Sequence, residues 1–289
     1  MCDPPLFAVA DGVGGAQAGE IASRLAAAAL EERPPGSLGT DTLTALILEA
    51  NNRIYMRALG DPEAAGMGTV VTALLVDETA ATIAVGHVGD SRAYRIRHDV
   101  LEQLTPDHSL VGELVRAGRL STEEAEQHPH RSVITRAVGT EPIVDVHTET
   151  LAALPGDLYL ICSDGLTDLV RDERILELVA AAEDDPEVAV QSLVDAANSA
   201  GGIDNITVVL FEILDGDPVP PPAPIAVEPD DDTAEHAIEP ESSAVVSPAA
   251  QAAPVQRHGA GAGGRWLALF AILLTIAIAG LVIWWSLKR

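Results

Sequence analysis

Four aspartates stand where strand-like runs give way to glycine or another small residue. The run 6–10 leads into Asp11-Gly12-Val13-Gly14-Gly15, and 81–88 leads into Gly89-Asp90-Ser91-Arg92. The run 157–162 leads into Ser163-Asp164-Gly165, while Gly201-Gly202-Ile203-Asp204-Asn205 precedes the last strand-like run. Glycine lets a backbone turn sharply and lets a carbonyl oxygen approach an ion. Carboxylates and carbonyls gathered in this way are hard oxygen ligands suited to Mg²⁺ or Mn²⁺. Each Asp-Gly pair alone is a common turn signal. Four such elements in one stretch of chain, all at strand ends, make a divalent-metal centre the expectation.

The elements that must position them follow from hydrophobic periodicity. Strand-type runs fall at 6–10, 69–76, 81–88, 93–97, 143–150, 157–162 and 205–214. Helical periods fall at 19–33, 40–59, 108–118, 121–127, 172–182 and 186–200. Ser121 and Glu124 have the spacing of a capping box, and Gly201-Gly202 would stop the last helix. Strands at 69–76, 81–88 and 93–97 follow one another across hairpin-length gaps, and long helices interrupt the series. That order predicts an antiparallel α+β domain rather than a parallel βαβ sheet.

The chain of 289 residues carries 44 acidic side chains against 17 Lys plus Arg, a net charge of −27. Such a balance excludes nucleic-acid binding through a basic face, which needs Lys and Arg to neutralise phosphates. The only lysine is Lys288, so lysine chemistry is absent from the body of the chain. Two cysteines, Cys2 and Cys162, make neither a disulfide framework nor a metal cluster, and fit a reducing compartment. Composition divides the chain into residues 1–214, a folded domain; 215–264, an acidic, proline-rich linker expected to be disordered; 265–287, a transmembrane helix; and 288–289, a short basic tail. The linker holds nine of the 19 prolines. From Trp266 to Leu287 run 22 residues without a charge, enough to cross a hydrocarbon core of about 30 Å, with the three tryptophans at its two ends. With no secretory signal before Leu30, the expectation is a single-pass anchor in the cell membrane, with residues 1–264 in the cytoplasm.

The segments FAVADGVGGAQAGEIAS (7–23), GMGTVVTALLV (66–76), HVGDSRAYRIR (87–97), LTPDHS (104–109), HRSVITRAVG (130–139), LYLICSDGLTDLV (158–170) and GGIDNITVVL (201–210) resemble, in order, bacterial metal-dependent Ser/Thr protein phosphatases of the PPM (type 2C) family. The resemblance implies a four-layer α/β/β/α sandwich of two antiparallel sheets flanked by helices. It implies two Mn²⁺ or Mg²⁺ ions bridged by Asp11, with the Gly12 carbonyl helping to hold one and Asp164 and Asp204 completing the other. Asp90 with Asp164 would hold a weaker third ion. The implied reaction is hydrolysis of phosphoserine and phosphothreonine in proteins by a metal-activated water, without a phosphoenzyme. The implied partners are phosphorylated proteins, chiefly membrane Ser/Thr kinases and their targets.

Other residues read as structural. Cys162 lies in an apolar run, His87 in a strand, and His128 and His130 in a surface loop; Arg136 is assigned to structure. Val13 stands where some family members outside bacteria carry His as a candidate general acid. Before Leu6 there are only five residues, whereas the family places there a strand, a phosphate-binding Arg and an acidic residue. The expectation is that the natural start lies upstream or that the domain is weakened. A catalytically weakened, membrane-tethered module that binds phosphoproteins or kinases is the alternative to an enzyme.

Overall fold

The computed structural model describes residues 1–13, 16–182 and 185–214. The expectations for 215–264, 265–287 and 288–289 lie outside the described residues. Among those described, no helix is long and apolar enough to cross a membrane.

The strands are β1 (Cys2–Asp3), β2 (Leu6–Val13), β3 (Gly68–Asp77), β4 (Thr82–Val88), β5 (Arg92–Arg97), β6 (Val100–Gln103), β7 (His147–Ala152), β8 (Leu158–Cys162) and β9 (Val208–Glu212). The helices are α1 (Ala16–Glu31), α2 (Gly39–Gly60), α3 (Leu110–Arg116), α4 (Thr122–Glu126), α5 (Asp164–Thr167), α6 (Asp172–Ala180) and α7 (Pro186–Ser199). Two antiparallel sheets result, in the orders β1-β2-β3-β4-β7 and β6-β5-β8-β9.

Strands with apolar residues on both faces must be covered on both faces, and this is how the layers stack. In β2, Leu6 and Ala8 face the helices α1 and α2, while Phe7 and Val9 face the second sheet. In β8 the alternation repeats: Tyr159 and Ile161 meet the first sheet, and Leu160 and Cys162 meet the helical layer of α6 and α7. Three apolar clusters therefore fill the three interfaces of a four-layer α/β/β/α sandwich. Phe7 of one sheet stacks on Phe211 of the other at 3.9 Å between ring centroids. Local signals close the helices: Ser121 and Glu124 form the reciprocal capping box, and Asp185 caps α7 by accepting from Glu187 N at 3.0 Å and Val188 N at 3.2 Å.

The topology explains why the aspartate loops share one end. β2 and β4 are both antiparallel to β3 between them, so they run in the same sense and deliver Asp11 and Asp90 to the same edge. In the second sheet Cys162 pairs with Val208, which brings the loops of Asp164 and Asp204 together.

Some elements differ from expectation. β1 pairs Cys2 with Phe7 and Asp3 with Leu6, and the amino group of Met1 donates to the Ala8 carbonyl at 2.8 Å. Beyond Ala8, β2 has no partner strand on that side among the described residues. The run expected from 143 pairs only from His147, because its partner β4 ends at Val88 and the chain turns at Gly89; the Asn51 side chain of α2 donates to the carbonyls of Glu141 and Pro142 at 3.0 and 3.3 Å before it. β6 is a largely exposed strand, joined to β5 through His98 and Asp99, both at positive φ.

One partly buried ion pair ties the second sheet to its surroundings. Asp157, 1% exposed, accepts from Arg97 Nε and Nη2 at 2.6 Å each and from Leu154 N at 2.8 Å. Removing Asp157 leaves the Leu154 N–H and the partly exposed Arg97 without their acceptor. Asp157→Ala should cost about 3 kcal/mol, read as a fall in Tm of roughly 6–12 °C for a domain of this size. A fall below about 2 °C would contradict the role assigned to the pair.

Candidate metal centre

Each aspartate is set by backbone contacts with its neighbours. Asp11 lies in β2, and its carbonyl accepts from the Thr69 hydroxyl; Thr69 is itself fixed by paired backbone bonds with Val138 at 3.0 and 2.8 Å. Next to it, Gly12 lies directly against α1. A side-chain carbon there would begin 2.2 Å from the Gly19 carbonyl oxygen. The same construction joins the loops of the second sheet, where a carbon on Gly165 would begin 2.2 Å from the Asn205 carbonyl oxygen. Ser163 reinforces that junction: its hydroxyl donates to the Asn205 carbonyl at 3.0 Å and accepts from Thr207 N at 3.1 Å. Asp204 accepts from Asn205 N at 2.7 Å and is otherwise exposed.

The carboxylates repel one another. Burial first, and then the charges of Asp164, Asp107 and Asp11, push the Asp90 carboxyl up to about 7. Burial and the charges of Asp11, Asp168 and Asp204 push Asp164 up to about 6. Asp11 is raised in the same way, by burial and then by Asp204. These mutual influences cross between the sheets, so the five residues singled out from the sequence, Asp11, Gly12, Asp90, Asp164 and Asp204, do come together. Among the described residues, no Arg forms an ion pair with any of the four carboxylates. Buried carboxylates without a counter-ion are costly unless paired or coordinated to a metal.

The donor set fits hard divalent cations of one kind. No three His, Cys, Asp or Glu side chains among the described residues close into a cage around a single point. Among the described residues the site offers its carboxylates in ones and twos. It suits an ion that keeps several waters and takes only one or two carboxylates, as Mg²⁺ does. Asp11, the Gly12 carbonyl, Asp164 and Asp204 can serve in that way, with Asp90 beside Asp164.

The discounted residues sit where expected. Cys162 is buried, and burial pushes its thiol up to about 12, far from a reactive thiolate. His87 is buried, with Thr72 Oγ1 at 2.8 Å from Nδ1 and the Pro106 carbonyl at 3.1 Å from Nε2; burial pushes its pKa down to about 3. His128 and His130 lie in the loop after α4. Arg136 donates to the Asp145 carbonyl at 3.1 Å and lies 3.2 Å from its carboxylate.

Four contributors were not visible in the sequence. Thr69 fastens Asp11; Asp107 and Asp168 add negative charge beside Asp90 and Asp164; and His108 bonds to the residue preceding Asp90. Asp168 follows Asp164 by four positions, a one-turn spacing that could have revealed it. Arg131 reaches toward this end of the fold, its Nε 3.9 Å from Asp168 Oδ2.

Comparison with known proteins identifies the family. The sequence profile of the protein phosphatase 2C family matches residues 3–195. A serine/threonine phosphatase named Stp from Listeria innocua is 39% identical over 215 residues, covering 72% of this chain and 84% of that protein. The serine/threonine protein phosphatase PstP of Mycobacterium tuberculosis is 42% identical over 218 residues, covering 73% of this chain and 41% of that longer protein. The crystal structure of M. tuberculosis PstP superposes with a TM-score of 0.66 at 40% identity, covering 73% of this chain and 88% of that one. The catalytic domain of PstP in complex with two manganese ions superposes with a TM-score of 0.64 at 39% identity, over 73% and 88% of the two chains. The expectation of two Mn²⁺ or Mg²⁺ ions agrees with that relative. The chain therefore belongs to the protein phosphatase 2C family and is, like these relatives, a phosphatase.

Proposed function

We propose that the chain hydrolyses phosphoserine and phosphothreonine in proteins at a binuclear Mn²⁺ or Mg²⁺ centre. The observation that carries this reading is the convergence of Asp11, Asp90, Asp164 and Asp204 from both sheets with, among the described residues, no Arg in an ion pair with any of them. In this reading Asp11 touches both ions, the Gly12 carbonyl assists with one, Asp164 and Asp204 complete the other, and Asp90 with Asp164 holds a weaker third. Divalent ions so held supply acidification of water and neutralisation of charge on the phosphoryl oxygens.

The chain's own residues do the rest by position. Asp11 is held through its carbonyl by Thr69, so its carboxylate is presented from a rigid strand rather than a free loop. Cys162 is too deeply buried to act as a nucleophile, in keeping with direct attack by water and no phosphoenzyme. Val13 offers no proton, which leaves protonation of the departing seryl or threonyl oxygen to solvent.

We further propose a membrane setting. The uncharged run 266–287, bordered by tryptophans, supports anchoring of residues 265–287, with the acidic linker 215–264 as a tether and the domain on the cytoplasmic side. Substrates would then be membrane Ser/Thr kinases and their targets. The alternative of a non-catalytic binding module has no support from the site, where the four carboxylates are all retained.

Hydrolysis of a phosphothreonine peptide should require Mn²⁺ or Mg²⁺, vanish on chelation and return when the ion is restored. Activity that survives exhaustive chelation would contradict the two-metal reading. Among variants, Asp11→Ala should lose the most activity, followed by Asp164→Ala and Asp204→Ala, each by more than the roughly 100-fold expected of changes beyond the metal ligands. Asp90→Ala should leave the binuclear pair occupied in calorimetry. Emptying of that pair in Asp90→Ala, with its retention in Asp11→Ala, would show that the assignment of ligands is wrong.

A further inference from the structure

The segment 105–109 grips both flanks of Asp90. On one side, His108 N donates to the Gly89 carbonyl at 2.7 Å, and Gly89 N donates to His108 Nδ1 at 3.0 Å. The peptide group on each side of Gly89 is thus tied to one residue. On the other side, Arg92 makes a two-point contact with Asp107 at 2.9 and 2.7 Å, and Ala93 N donates to the Thr105 hydroxyl at 3.0 Å. Gly89 sits at φ +120 with the Val70 side chain packed where a Cβ would stand, so its conformation must be held by its partners.

His108 also faces outward. Its carbonyl accepts from Thr135 N at 2.8 Å, Ser109 bridges to Ile134, and Leu110 N donates to the Val133 carbonyl at 2.8 Å. The ring itself is buried at 4% exposure and lies 4.7 Å from that of His87. A backbone N–H can only donate, so Nδ1 acts as the acceptor from Gly89 N, while Nε2 lies 3.4 Å from Arg136 Nη1.

Resting on the metal reading above, we infer that His108 is a positioning residue for the ion held by Asp90, acting through the acceptor atom Nδ1 on the Gly89 amide. It does not touch the ion or the substrate. It fixes the direction in which Asp90 leaves the end of β4, and the bonds of segment 108–110 to residues 133–135 make that direction depend on the segment carrying Arg131 as well.

The test is Mn²⁺ titration by calorimetry of the full chain and two variants, with hydrogen exchange at the Gly89 amide measured in chelator. Asn places an acceptor oxygen where Nδ1 now lies, whereas Ala places none. His108→Ala should weaken the low-affinity Mn²⁺ class about tenfold or more while leaving the tighter pair nearly unchanged. It should also speed exchange at Gly89. His108→Asn should restore both properties close to the parent values. The inference is overturned if His108→Ala leaves the weak class unaltered, if His108→Asn is as impaired as His108→Ala, or if all Mn²⁺ classes weaken together. Absence of any Mn²⁺ binding by the parent chain would instead overturn the metal reading on which the inference rests, whatever the exchange at Gly89 shows.

Discussion

The structure turns on a repulsion. Four carboxylates are held at one end of a sandwich, close enough that Asp90 is pushed up to about 7 and Asp164 to about 6 by burial and by one another's charge. Left to itself, such a group would spread apart or take up protons. That it is assembled at all means the fold supplies enough rigidity to hold it, and that its stable partner is a positive charge from outside the chain.

The rigidity comes from backbone rather than from side chains. β2 and β4 run in the same sense because both pair with β3, which fixes two of the four positions by register alone. The other two are fixed where Gly165 meets Asn205 and Ser163 bonds across the same junction. Apolar clusters on both sides of each sheet hold these strands in place, so displacing an aspartate loop would require disturbing a packed layer. The arginines of the region face other aspartates: Arg92 pairs with Asp107, Arg136 with Asp145, and Arg131 lies 3.9 Å from Asp168. A site that needs diffusible cations keeps its own cations out.

Much of this could be read from sequence because it is local. The four aspartates announce themselves by standing beside or near glycine at strand ends, and the strands of the core are apolar runs of the right length. Six helices and the core strands fall close to their expected positions for the same reason. What escaped was either exposed or distant. β6 is a largely exposed strand, and its turn through His98 and Asp99 lacks the glycine that marks most such hairpins. β7 begins later than its expected run because its partner β4 ends at Val88, a limit set by a remote segment. Thr69, Asp107 and His108 reach the site through contacts between remote segments, and no spacing along the chain reports these.

If the site is held together against its own charge, neutralising one member should relieve the fold when metal is absent. The direct measurement is the Tm of Asp90→Asn against the parent chain at pH 8, once in chelator and once in Mn²⁺. In chelator the variant should melt higher than the parent, by roughly 2–6 °C, and Mn²⁺ should raise its Tm by less than it raises the parent's. A variant that melts lower than the parent in chelator, and gains as much from Mn²⁺, would show that the carboxylates are not under mutual strain and that the cation is not what balances them.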